Sequence, residues 1–294
     1  RCSSSQQLAA HAPMEDEDFG CSRASGTRCI KQAFLADRGR LAGDVCVRPR
    51  PPCAMGCGAY GDERFDSLCK QCVPKLYVDR LARLRVDHLV YAAPGSLEEA
   101  CADFEARTGV TPQVGGRHEG LGTHNALVSL GANRYFEILC RDPEQTDPAR
   151  TWMAIDSITD TPRLVAWASL RADLDHAVLA AREAGYDPGT PQSFSRKTPS
   201  GSEMRWSLSY SHYTEPLPGD GAVPFLITWD SDSPARTAPT GCTLASLHAE
   251  TNHPEKVGPM LEAIGIAPDE FLRRGDHRRL VAVLDTPNGR VEFS

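Results

Sequence analysis

Three stretches of this chain follow one local plan, and each closes its helix on a glycine: Gly109, Gly185 and Gly265, which lie 76 and 80 residues apart. In the first, "VDHLVYAAP" (86–94) reads as a buried strand and "SLEEACADFEARTG" (96–109) as a helix. Ser96 and Glu99 stand at the spacing of a capping box, and Gly109 is placed as a C-terminal stop. The polar turn "GAN" joins two further strands, "NALVSLG" (125–131) and "RYFEILCR" (134–141). The plan recurs at "RLVAWASL" (163–170) with "ADLDHAVLAAREAG" (172–185), and at "CTLASLHA" (242–249) with "NHPEKVGPMLEAIG" (252–265). Strand-like text follows each later helix: "EMRWSLSY" and "PFLITW", then "RRLVAVLD" and "GRVEFS". Strand–helix–strands units at this spacing predict an α+β fold of repeated modules with mixed sheets, since each open sheet face needs a neighbour to cover it.

The text ahead of residue 86 is of another kind. Residues 1–46 mix Ser, Gln, Arg, Asp and Gly without apolar periodicity and read as a disordered N-terminal segment. Residues 47–77 hold a compact cysteine cluster, and 78–85 form a linker that opens on a short amphipathic helix near Val78. No apolar run approaches the ~20 residues that span a bilayer, so no membrane contact is expected. No basic start followed by an apolar middle marks the beginning of the chain, which points to a reducing compartment, cytoplasmic or nuclear. Residues 86–294 carry 18 basic and 29 acidic side chains, a net of −11. A body so acidic repels nucleic acid, which leaves only the basic cysteine segment to reach it.

Cys53, Cys57, Cys69 and Cys72 are spaced C-x3-C-x11-C-x2-C. Two close pairs around a short loop let four thiolates meet one tetrahedral zinc ion, and a redox or disulfide role is the alternative. The cluster has too few apolar groups to fold unaided, whereas structural zinc supplies on the order of 10–16 kcal/mol in such peptides. The segment resembles an A-twenty-type zinc finger: "GCGAYGD" and "SLCKQC" match the family's central and closing stretches. That resemblance implies ubiquitin binding, with DNA as a lesser partner, and carries the family's ubiquitin-contacting aromatic pair onto Ala59 and Tyr60. Only Tyr60 is aromatic, and Asp62-Glu63 stands where the family has Asn-Pro.

From Val86 onward the sequence is similar to glyoxalase-like domains of the vicinal oxygen chelate superfamily. The matching text is "VDHLVYAAPGSLEEACADFEARTGV", "GGRHEGLGTHNALVSLGANRYFEIL", "PFLITW" and "LDTPNGRVE". The resemblance implies βαβββ modules whose curved sheets enclose a pocket, and chemistries from isomerases and lyases to dioxygenases, so it does not select a reaction. In metal-using relatives a first-strand His and a last-strand Glu from each of two modules hold a divalent ion, and His88 and Glu137 match these positions in the first module. The repeat offsets put Leu164 and Leu244 where further histidines belong, and Glu292 opposite Glu137, with His248 four residues from its expected place.

His124 and Asn125 enter the strand after "GLGT", and His124 shares the parity of Ala126 and Val128. If that face is the inner one, His88, His124 and Glu137 make a 2-His-1-carboxylate set for a second divalent metal. The alternative is a core His88 hydrogen-bonded to Glu137 with no ion. Arg196 with Trp206 and Trp229 suits a planar or carboxylated small molecule, or the two tryptophans simply fill the core. Arg117 and His118 sit in the glycine-rich "GGRHEGLG", a candidate lid. The expected protein is a zinc-binding finger on a small-molecule pocket, with Glu137 and His124 as catalytic candidates in metal-dependent lyase, isomerase or dioxygenase chemistry. The rival is a non-catalytic adaptor recruited through the finger to ubiquitin.

Overall fold

The computed structural model describes residues 80–145, 151–197, 201, 203–210 and 215–294. The disordered segment expected at 1–46 and the finger at 47–77, with Cys53, Cys57, Cys69, Cys72 and Tyr60, lie outside the described residues. Residues 80–84 are helical and bury Leu81 and Leu84 against the body.

Strand β1 (Val86–Ala92) is buried along its whole length. It is followed by α1 (Leu97–Thr108), β2 (Gln113–His118), β3 (Thr123–Ser129) and β4 (Tyr135–Arg141). Helix α1 begins where the sequence predicts: Ser96 accepts from the Glu99 amide and Glu99 reaches back to the Ser96 amide at 3.1 Å. Gly109 ends it in the left-handed region at φ 75°, where a side chain would be strained. Ser96→Ala is expected to cost about 1 kcal/mol of stability, read as a lower urea midpoint at unchanged m-value.

A second module repeats the order with β5 (Arg163–Leu170), α2 (Leu174–Glu183), β6 (Pro191–Lys197), β7 (Glu203–Ser209) and β8 (Phe225–Trp229). The two modules join through antiparallel pairing of β1 with β5, giving one eight-stranded sheet in the order β2-β3-β4-β1-β5-β8-β7-β6. Each first strand pairs in parallel with its module's last, β1 with β4 and β5 with β8. The sheet curls until its outer strands β2 and β6 meet, and Arg196 on β6 donates to the Gly115 carbonyl on β2.

The third unit departs from the expected βαβββ plan. It comprises β9 (Thr243–Thr251), α3 (Pro254–Ala263), α4 (Pro268–Phe271), β10 (Leu272–Arg274), β11 (Arg279–Thr286) and β12 (Gly289–Phe293). Its sheet order is β10-β9-β11-β12, so β9 is flanked on both sides instead of standing at the end of its four strands as β1 and β5 do. The short α4 delivers the chain directly beside β9, where β10 pairs in parallel. This unit, with α1 and α2, covers the convex face of the large sheet in one apolar core. Trp167 is fully buried there, donates to the Ala222 carbonyl at 3.1 Å and packs against Phe271. The concave face is left to line a pocket.

Candidate active site

Alternation along β1 sends Val86, Leu89 and Tyr91 into the convex core and Val90 and Ala92 to the concave side. The β1–β5 register slips between Val86 and His88, and this bulge brings both Asp87 and His88 into contact with concave-face groups. Asp87 Oδ1 receives His88 Nδ1 at 2.7 Å, and Asp87 Oδ2 accepts from the Trp229 indole N–H at 3.0 Å. The His88 ring stacks on Tyr135 at 4.4 Å and meets the edge of Phe225 at 5.3 Å. With Nδ1 committed to Asp87, Nε2 is aimed at Glu137 Oε2, 3.7 Å away and beyond hydrogen-bonding distance.

Glu137 stands on β4 between two histidines. Asn125 on β3 donates to its Oε1 at 2.6 Å, and His118 Nε2 lies 3.8 Å from the same oxygen. His118, at the end of β2, is fixed by Thr123 Oγ1 at 2.8 Å and by the edge of Trp152. Burial holds its pKa below the ordinary histidine value, and the Glu137 charge opposes this only in part. Asp87, His88 and Glu137 are each no more than 3% exposed. Beside His88 and Glu137 lies an inner space of about 30 Å³, enough for one water-sized group. It lies beside a cleft of about 450 Å³, and His118, Trp152, Arg196 and Trp206 line both.

Two glycines in "QVGGRH" make this closeness possible. A Cβ on Gly115 would lie 2.4 Å from Asn125 Oδ1, and one on Gly116 would lie 2.9 Å from an Arg196 guanidinium nitrogen. Their missing side chains let Asn125 and Arg196 pack against bare backbone.

The structure brings together His88, Asn125, Glu137, Arg196, Trp206 and Trp229 around this pocket. It does not bring His124. That residue shares a face with Ala126 and Val128, as its parity requires, but theirs is the convex face. The second histidine is His118 instead, from the segment read as a lid. Trp229 binds Asp87 and so orients the site from behind. Leu164 also belongs to the convex core, because β1 and β5 slip register again at Val90 and Tyr91, and Ala166 and Ala168 face the concave side. Leu244, His248 and Glu292 belong to the four-stranded sheet, with Glu292 exposed. Asp87 and Trp152 were not anticipated. Period-two alternation would send Asp87 away from His88, and only the bulge reverses this.

A divalent ion held by a His and a Glu from each module does not fit these residues. The second module offers Ala166, Ala168, Phe225, Ile227 and Trp229 at the concave face. His88 Nε2 and His118 Nε2 stand 3.7 and 3.8 Å from the two Glu137 oxygens. Asn125 Nδ2, which has no lone pair to give, binds Glu137 and lies 3.4 Å from His118 Nε2. Among the described residues no group of three or more His, Cys, Asp or Glu side chains is arranged to hold an ion.

The glyoxalase-like domain model matches residues 86–265, and the chain belongs to that family. Solved structures that the chain matches include a hypothetical protein from Staphylococcus aureus, 16% identical, covering 71% of this chain and 84% of its own at a TM-score of 0.49. Methylmalonyl-CoA epimerase from Mycobacterium tuberculosis is 15% identical over 49% of this chain and 85% of its own, at 0.32. The Streptomyces coelicolor enzyme in complex with 2-nitronate-propionyl-CoA is 17% identical over 50% and 98%, at 0.33. No curated protein matches the sequence. Among the described residues no helix is long and apolar enough to cross a membrane.

Proposed function

We propose that the body binds a small molecule and moves a proton on it, in isomerase- or lyase-type chemistry at a carbon beside a carbonyl. The observation that carries this reading is the setting of Glu137: a buried carboxylate with one oxygen tied to Asn125 and the other facing His88 across 3.7 Å, next to a water-sized space. In the proton-transfer step the Glu137 carboxylate takes the C–H proton and becomes a carboxylic acid, while the electron pair moves to the carbonyl oxygen as an enolate. Return of that proton to the same or the neighbouring carbon gives the isomer and restores the carboxylate. His118, kept uncharged by burial, stands on the far side of Glu137 as a second proton acceptor.

The test is exchange of the α-protons of 2-oxo acids, phenylpyruvate first, followed by NMR in D2O. Wild type is expected to accelerate exchange, and Glu137→Gln to slow it roughly a hundredfold, the lower range for general-base catalysis. No acceleration with any of a panel of 2-oxo acids and aldehydes, or equal rates in the variant, would overturn the reading.

The finger is part of the same proposal, on its sequence: Cys53, Cys57, Cys69 and Cys72 hold structural zinc, and Tyr60 offers a ubiquitin contact in a cytoplasmic or nuclear protein. Elemental analysis tests the first, with one zinc per chain expected and its loss on Cys69→Ser. Pull-down on mono-ubiquitin with Tyr60→Ala tests the second.

A further inference from the structure

Two hydrogen-bond donors at the pocket lack the acceptors their surroundings call for. Arg196 reaches in from β6, and among the described residues its one hydrogen bond goes to the Gly115 carbonyl, with no carboxylate within ion-pair distance. Its guanidinium has further N–H groups, in a planar fork that matches a carboxylate. The indole N–H of Trp152 is buried and, among the described residues, has no acceptor. A donor left unpaired in this way costs roughly 1–3 kcal/mol unless a ligand supplies the missing oxygen. The turn that carries Trp152 is itself strained: Met153 and Ala154 sit at φ 56° and 53°, and Asp156 clamps the turn through two 2.8 Å bonds to Thr151.

The neighbouring wall is flat. Phe194 and Trp206, paired across β6 and β7, lie within 18° of parallel at 6.0 Å. The charge at the cleft admits one negative group and not two. Arg117 at the mouth is already held by Glu144 at 2.6 Å and Asp142 at 3.4 Å. Glu119 adds a negative charge there, which leaves Arg196 as the uncommitted cation among the described lining residues.

We infer that the cleft takes a flat monocarboxylate, with Arg196 and the Trp152 indole receiving the carboxylate while Phe194 and Trp206 carry the planar body. This rests on the small-molecule reading of the same pocket and names its substrate class. A dianion such as a phosphate monoester meets Glu119 and Glu137 with only Arg196 to offset them, and is disfavoured.

Isothermal titration of the full-length chain with benzoate, benzamide and phenyl phosphate tests this. Benzoate is expected to bind at least tenfold tighter than either of the others. Arg196→Gln should weaken benzoate at least tenfold while leaving benzamide within about twofold. Because Arg196 also ties β6 to β2, Arg196→Lys serves as a second variant: it keeps the charge, loses the fork and should weaken benzoate several-fold. Trp152→Phe removes that donor together with part of the ring and should also weaken benzoate several-fold. Equal affinity for benzoate and benzamide, preference for phenyl phosphate, or undiminished benzoate binding in Arg196→Gln would overturn the inference. Glu137→Gln separates it from the proton-transfer reading, since benzoate binding should persist in that variant. Benzoate binding without any proton exchange would sink the chemistry alone, and exchange without carboxylate preference would sink the substrate class alone.

Discussion

Asp87→Ala is expected to lower the unfolding free energy by roughly 2–6 kcal/mol, the largest effect of any single change at the site. The carboxylate is 2% exposed and accepts from two donors, the buried His88 Nδ1 and the half-buried Trp229 Nε1. Its removal orphans both, and each buried unpaired donor costs roughly 1–3 kcal/mol. The two donors come from different modules, β1 and β8, so the loss also loosens the seam on which the pocket is built. Asp87→Asn separates packing from hydrogen bonding. Its side-chain oxygen can still accept one of the two donors, and its amide turns an N–H toward the other, so about half of the loss should remain. Chemical denaturation of the three proteins checks this. A full-length Asp87→Ala within 1 kcal/mol of wild type would show that Trp229 and His88 find other partners and that Asp87 does not position the site. Proton exchange in the Asn variant gives the functional side of the test: where the amide oxygen goes to Trp229, His88 is released, Nε2 is no longer held toward Glu137, and the rate should fall although only about half of the stability loss is incurred.

The legible and illegible parts of this molecule divide along physical lines. Most of two modules is legible in the chain because β1, β4 and β5 are apolar runs and α1 carries a capping box and a stop glycine, signals that survive any tertiary setting; β2 and β6 are not. Strand β2 is not legible there: "QVGGRH" has one apolar residue, and it is a strand through its antiparallel pairing with β3, with Asn125 and Arg196 packed on the bare backbone of Gly115 and Gly116. That omission cost the site its second histidine, His118. His124 shares its parity with Ala126 and Val128, but alternation tells which residues share a side and not which side holds the pocket. The bulge at Asp87 and the slip near Val90 are register events between strands 70 or more residues apart in sequence, and no local pattern records them. The third unit misled for a related reason. Its strand, helix and glycine match the other two, while its sheet order depends on how soon α4 returns the chain to β9.

Acid should destabilise the body in a window set by histidines that fold uncharged. His248 is the clearest. It lies on β9, away from the pocket, and its pKa is pushed down to about 4, chiefly by burial and then by the Arg273 and Arg80 charges, against which Glu250 acts in the opposite sense. Arg273 on β10 holds its Nε2 at 3.2 Å, and Arg279 on β11 draws Glu250 away with a 2.9 Å bond. In the unfolded chain the same histidine titrates near 6.5. Between these two values the unfolded state binds the proton and the folded state does not, so stability is complete above pH ~6.5 and falls as pH drops toward 4. One histidine shifted this far accounts for about 3 kcal/mol, roughly 2 of which should be gone by pH 5. His118 and His124, both lowered by burial, add to the fall with the same sign. Urea titrations at pH 7 and pH 5 measure it, and His248→Leu should flatten the difference by about 2 kcal/mol while the part owed to the other two histidines remains. An unchanged pH slope in that variant would mean that His248 is protonated in the folded protein, where the arginines around it leave no room for a further positive charge.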